Sequence, residues 1–119
     1  MAADDYALRR HDGHVVITMP AEIDRANADQ VRQALLAVTG PGAAVVIIDM
    51  SATTFCDSAG VHAIIAAYRH AASAGSRLRL VATSVLRIFE LIGADQLMPL
   101  YPSLESALAE GGYPTGPPA

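Results

Sequence analysis

Val45-Val46-Ile47-Ile48-Asp49-Met50, followed four residues later by Phe55-Cys56-Asp57-Ser58-Ala59-Gly60-Val61, decides how this chain folds. The first stretch is short, continuous and β-branched, which suits a strand covered on both faces and marks it as the central strand of a sheet. Beyond the second, Val61, Ile64, Ile65, Tyr68 and Ala72 recur at offsets of 3, 4, 7 and 11 and make one helical stripe. Gly75 then follows as a left-handed C-terminal cap. A buried strand feeding a helix through a short loop places Ser58 at the helix N-terminus. The first turn there carries unpaired N–H groups and partial positive charge, so it takes a Ser or Asp cap or holds an anion.

The flanks extend the alternation. His14 to Met19 puts Val15, Ile17 and Met19 on one face of a strand, paired with Tyr6 to Arg10 through an Asp12-Gly13 turn. Ala28 to Val38 is a helix with Val31, Leu35 and Val38 on one stripe, broken by Gly40-Pro41-Gly42. Leu78 and Leu80 alternate with Arg77 and Arg79, which predicts a strand nearer the sheet edge with one buried and one wet face. Ser84 is placed to cap a third helix whose Val85, Ile88, Phe89 and Ile92 share a stripe, with Gly93 ending it. A short extended piece, Met98 to Tyr101, and a last helix from Ser103 to about Glu110 follow.

The predicted order is β-β-α-β-α-β-α-β-α: an α/β domain over residues 1–110, its mixed β-sheet opening on an antiparallel hairpin and continuing through right-handed helical crossovers. Residues 111–119, rich in Gly and Pro, lack packing periodicity and read as a disordered tail. Sites in such sheets favour loops beyond strand C-termini, and the connection from Ile48 to Ser58 is one of these.

Composition narrows the function. A chain of 119 residues with 52% hydrophobic content supports one domain with a real core. Its unbroken apolar runs, such as Ala43 to Ile48, are far short of the roughly 20 residues a spanning helix needs. Met1-Ala2-Ala3-Asp4-Asp5 is acidic where a secretory signal is basic, so the expected location is cytoplasmic. The single cysteine, Cys56, excludes an internal disulfide and a thiolate cluster, and reads as a small apolar side chain near the core. The eight basic residues are all arginine, scattered through a chain of net charge -4. Without a basic stripe, nucleic acid is not an expected partner. His11 and His14 flank the hairpin turn and form no evident convergent set with His62 or His70, so no metal is assigned.

Asp57-Ser58-Ala59-Gly60 admits three readings. In the plainest, Asp57 or Ser58 caps the helix and Gly60 allows close packing. In a hydrolase, Ser58 would be the nucleophile, His62 one turn later the base, and Asp24 or Asp57 the orienting acid. Against it, the Gly-x-Ser-x-Gly elbow is absent and no oxyanion arrangement is identifiable. In a covalent switch, phosphorylation of Ser58 adds about -1.5 to -2 charge beside Asp57 and weakens a partner interface without unfolding the domain.

These same residues closely resemble the phosphorylation segment of STAS-domain anti-sigma factor antagonists, an apolar strand, a short loop and Asp-Ser-(Ser/Thr/Ala)-Gly-(Leu/Val/Ile). Ala21-Glu22-Ile23-Asp24 is similar to the family's Gly-Glu-(Leu/Ile)-Asp turn, the segment from Val85 to Gly93 to its third helix, and that from Tyr101 to Leu108 to its closing helix. The resemblance implies a non-enzymatic bacterial regulator without a cofactor. Its unphosphorylated form binds an anti-sigma factor with serine kinase activity and frees a sigma factor. Phosphorylation of the serine ends the interaction, and a metal-dependent Ser/Thr phosphatase restores it.

Carried across, Ser58 is the phosphoacceptor and Asp24, Asp57, Ala59, Gly60 and His62 surround it on the face read by the partner or kinase. Ala21 in place of the usual glycine is expected to alter the first turn if backbone freedom is needed there. Ala59 removes a second hydroxyl found in some relatives and narrows phosphorylation to Ser58. His62 adds an ionisable group on that face. The alternative is a constitutive STAS interaction subunit of a lipid-transport or signalling assembly, against which the phosphorylatable Ser58 argues.

Overall fold

The structure, a computed structural model, describes residues 6–11, 14–39 and 45–109. The Asp12-Gly13 turn, the Gly40-Pro41-Gly42 break and the tail at 111–119 lie outside the described residues. Five strands form the main sheet in the order β1-β2-β4-β6-β7. β1 (Leu8–His11) runs antiparallel to β2 (His14–Thr18), as the hairpin requires. β4 (Val45–Met50), β6 (Arg77–Ala82) and β7 (Leu100–Tyr101) add in parallel, β4 pairing with both β2 and β6. Every residue of β4 is buried, the signature of a strand covered on both faces.

Between strands run α1 (Ala28–Val38), α2 (Ser58–Ala74), α3 (Leu86–Leu91), a 3₁₀ turn at Ala94–Gln96 and α4 (Leu104–Ala109). The bounds of α1 match the periodicity, and Thr39 closes it with its hydroxyl on the Leu35 carbonyl at 2.9 Å. Gly75 ends α2 at φ 85°, the left-handed conformation expected of it.

Alternation along the strands divides the core by face. Val15, Ile17, Val46, Ile48, Leu78 and Leu80 point to the side covered by α1, α2 and α3, where they meet Val31, Leu35, Ile64 and Phe89. Val16, Ile47 and Val81 point to the opposite side, where Ala107, Leu104 and Leu108 of α4 cover them.

Two expectations are corrected. β6 is wet only at its first residue, where Arg77 is exposed as expected: the rest of its second face lies under α4, and Arg79 is only 1% exposed. The Arg79 guanidinium donates to the Ala107 carbonyl at 2.6 Å, so this arginine holds the closing helix instead of meeting solvent. Ser84 does not cap α3. That helix starts from Val85 without a side-chain cap, and only the Val85 and Phe89 side of its predicted stripe is buried. Ile88 and Ile92 are 37% and 51% exposed.

Candidate functional site

Two short segments that periodicity could not reveal build the site. β3 (Glu22–Ile23) and β5 (Phe55–Cys56) pair in parallel as a separate small sheet, Ile23 opposite Cys56. Further bonds lace the same segments together: Thr54 N–H to the Ala21 carbonyl at 2.8 Å, Asp57 N–H to the Ile23 carbonyl at 3.1 Å, and the Thr53 hydroxyl to the Pro20 carbonyl at 2.8 Å. Asp24 and Asp57 therefore follow corresponding positions at the end of one ladder, side by side though they are 33 residues apart in sequence. Ala21, the departure in this turn, is exposed and contributes its carbonyl to the lacing.

Asp57 is the N-cap of α2. Its backbone is extended, its carboxylate accepts from the Gly60 N–H at 3.0 Å and its carbonyl accepts from the Val61 N–H at 2.9 Å. Ser58 is the first helical residue, is exposed, and takes no part in the cap. The ambiguity between Asp57 and Ser58 as the cap is thus resolved, and the serine hydroxyl stands at the open helix end.

Gly60 is buried where α2 crosses the small sheet. A Cβ there would lie 2.7 Å from both the Cys56 Sγ and the Ile23 Cγ2, so the residue is needed for close approach. Cys56 is buried. Burial, with a smaller contribution from the Asp57 carboxylate, pushes its thiol up to about 11, which opposes thiolate chemistry.

Asp24 is half-buried and already engaged. One carboxylate oxygen accepts from the Ala26 N–H at 2.9 Å, and its own N–H donates to Asn27 Oδ1 at 2.9 Å. Asn27 also donates from Nδ2 to the Glu22 carbonyl at 2.9 Å, which fixes the turn leading into α1. The carboxylate is therefore part of a built turn, not a freely solvated loop group.

Asp57, Ser58 and His62 line one cleft of about 390 Å³, together with Val61, Ile65, Ile88 and Ile92. Ala59 and His62 also border a neighbouring depression with Arg25, Asp29 and Arg32. No hydrogen bond joins Ser58 to His62. The isoleucine wall was missed in sequence because Ile88 and Ile92 fell on the stripe assigned to the core. Among the described residues no group of three or more His, Cys, Asp or Glu could hold a metal, and no helix is long and apolar enough to cross a membrane.

The profile of the STAS domain matches residues 5–107. Among curated proteins none matches. The fold is similar to the crystal structure of an anti-sigma factor antagonist from Mycobacterium paratuberculosis, at 32% identity over 88% of this chain and 91% of that one, with a TM-score of 0.80. It is also similar to the Bacillus cell fate determinant SpoIIAA in its phosphorylated form, at 22% identity over 88% and 97% of the two chains and a TM-score of 0.65. The murine anion transporter Slc26a9 carries the same fold in a small part of its length: 24% identity, 86% of this chain, 18% of that one, TM-score 0.67.

Proposed function

The chain belongs to the STAS-domain family of anti-sigma factor antagonists, and on that premise we propose that its unphosphorylated form binds a kinase-like anti-sigma factor and so releases a sigma factor. Phosphorylation of Ser58 by that partner ends the binding, and a Ser/Thr phosphatase resets it, all within the bacterial cytoplasm. One observation carries this reading. Asp57 performs the capping, so the exposed Ser58 hydroxyl at the helix end has no structural task and is open to a kinase.

Phosphate at that position faces N–H groups of the first turn, which favour negative charge locally. A partner seated over the cleft meets the added charge directly and loses affinity through repulsion and desolvation. Asp24, held level with Asp57 by the β3–β5 ladder, belongs to the same recognition face, with half-buried Ala59 and exposed His62 completing its near side; Gly60, expected on that face from the sequence, is buried and serves the packing beneath it. The similarity to phosphorylated SpoIIAA supports a fold of this kind persisting with phosphate bound.

Intact mass before and after incubation with candidate kinase-like anti-sigma factors and ATP tests the proposal. One added phosphate, absent in Ser58→Ala, is the expected result. Binding that persists unchanged with no mass gain selects a constitutive docking subunit instead.

A further inference from the structure

His62 stands one helical turn after Ser58, on the ridge between the cleft and the depression bordered by Arg25 and Arg32. Side chains four apart on a helix have Cβ atoms about 5–6 Å from one another, and each leans toward the helix N-terminus. The exposed imidazole therefore lies one turn from the acceptor serine on the same side of the helix, and both line the same cleft. We propose that His62 is a positioning residue for phosphorylated Ser58: its imidazolium pairs with the phosphate across one turn and couples the switch to protons. This rests on Ser58 as the phosphoacceptor and adds to it a regulatory partner within the chain.

The charges around His62 set the direction. Asp57 lies on the cleft side, but its carboxylate is engaged by the Gly60 N–H, and the rest of the cleft wall at Val61, Ile65, Ile88 and Ile92 is uncharged. From the α1 side come Arg25, Asp29 and Arg32, of which Asp29 and Arg32 pair at 2.8 Å. A phosphate of about -1.5 to -2 charge on Ser58 attracts a neighbouring imidazolium and favours that form. The ordinary phosphoserine second ionisation near 6 and the ordinary imidazole value near 6.5 lie close together, so each ion stabilises the other around neutral pH.

The test uses full-length protein carrying phosphoserine installed at position 58 during translation, so it does not depend on any kinase. The ³¹P resonance is followed through a pH titration for the native sequence, His62→Gln and Arg25→Gln. The phosphate is expected to lose its second proton roughly half a pH unit lower with His62 present than in His62→Gln, with Arg25→Gln like the native protein. Matching amide fingerprints establish that both variants are folded. Superimposable phosphate titrations for the native and His62→Gln proteins overturn the proposal, as does a shift confined to Arg25→Gln. Absence of a kinase-dependent mass gain on Ser58 is a separate result and bears on the phosphoacceptor reading alone.

Discussion

Asp57 and Ser58 are adjacent and both polar, yet the structure gives them different tasks, and substitution separates them. Asp57→Ala removes the carboxylate that receives the Gly60 N–H and is expected to cost about 0.5–2 kcal/mol in denaturant unfolding. Ser58→Ala is expected to stay within about 0.5 kcal/mol of the native protein, since an exposed side chain outside the cap is removed. Gly60→Ala sets two effects against each other. Alanine gains up to about 1 kcal/mol of helix propensity, but its methyl meets the buried Cys56 and Ile23 side chains at 2.7 Å, and overpacking of this kind costs about 1–3 kcal/mol. A lower melting temperature with a distorted Asp24 turn is the expected outcome, and a stabilised variant would show that the helix can lift away from the small sheet.

The Cys56 thiol, pushed up to about 11, should resist a thiol reagent at pH 8 far more than the unfolded chain does. The sign for stability follows from the same burial. The unfolded thiol ionises at its ordinary value near 8.5, so the native state loses relative stability as pH rises beyond that point. Equal labelling rates for folded and urea-unfolded protein at pH 8 would contradict the buried placement.

At the level of elements, α4 is six residues long and, among the described residues, is the one helix packed on its face of the sheet, which makes its attachment sensitive to one side chain. Arg79→Leu keeps an aliphatic stem but leaves the Ala107 carbonyl without its donor, for an expected loss of about 1–3 kcal/mol. Hydrogen exchange should rise in α4 before it rises in α2; uniform acceleration would mean that Arg79 supports the whole sheet instead. This arginine also shows where sequence reading stops. The alternation of Arg77 and Arg79 with leucines was a true strand signal, but alternation does not reveal a helix folding over the charged side. Long elements such as α1 and α2 were legible because their stripes repeat over several turns. β3 and β5, at two residues each, carry no periodicity, although they set the relation of Asp24 to Ser58. Ile88 and Ile92 were legible as helical but not as exposed, because an apolar side chain has the same spacing whether it faces a core or a partner. The serine motif itself was readable because its residue types and order are constrained together.

Across the whole molecule, phosphorylation of Ser58 should change a surface and leave the scaffold alone. Ser58 is exposed at the start of α2 and outside the five-stranded sheet, so amide shifts are expected near the α2 N-terminus, β3 and β5, with that sheet unperturbed. Titration calorimetry of the two forms against the anti-sigma factor should show most of the affinity lost on phosphorylation. Shifts spread through β4 and β6 would point to a conformational change, and equal affinities would detach Ser58 from partner release.

The described sheet also ends differently on its two sides. β1 places exposed Arg9 and Arg10 along one margin, and β7 offers only two residues at the other. A charged margin repels a second copy, and so short a strand gives an incoming chain little backbone to join. Among the described residues both margins therefore resist strand addition by a second chain, and the domain is expected to stay free of edge-to-edge fibrils at high concentration, which turbidity measurements at rising concentration would check.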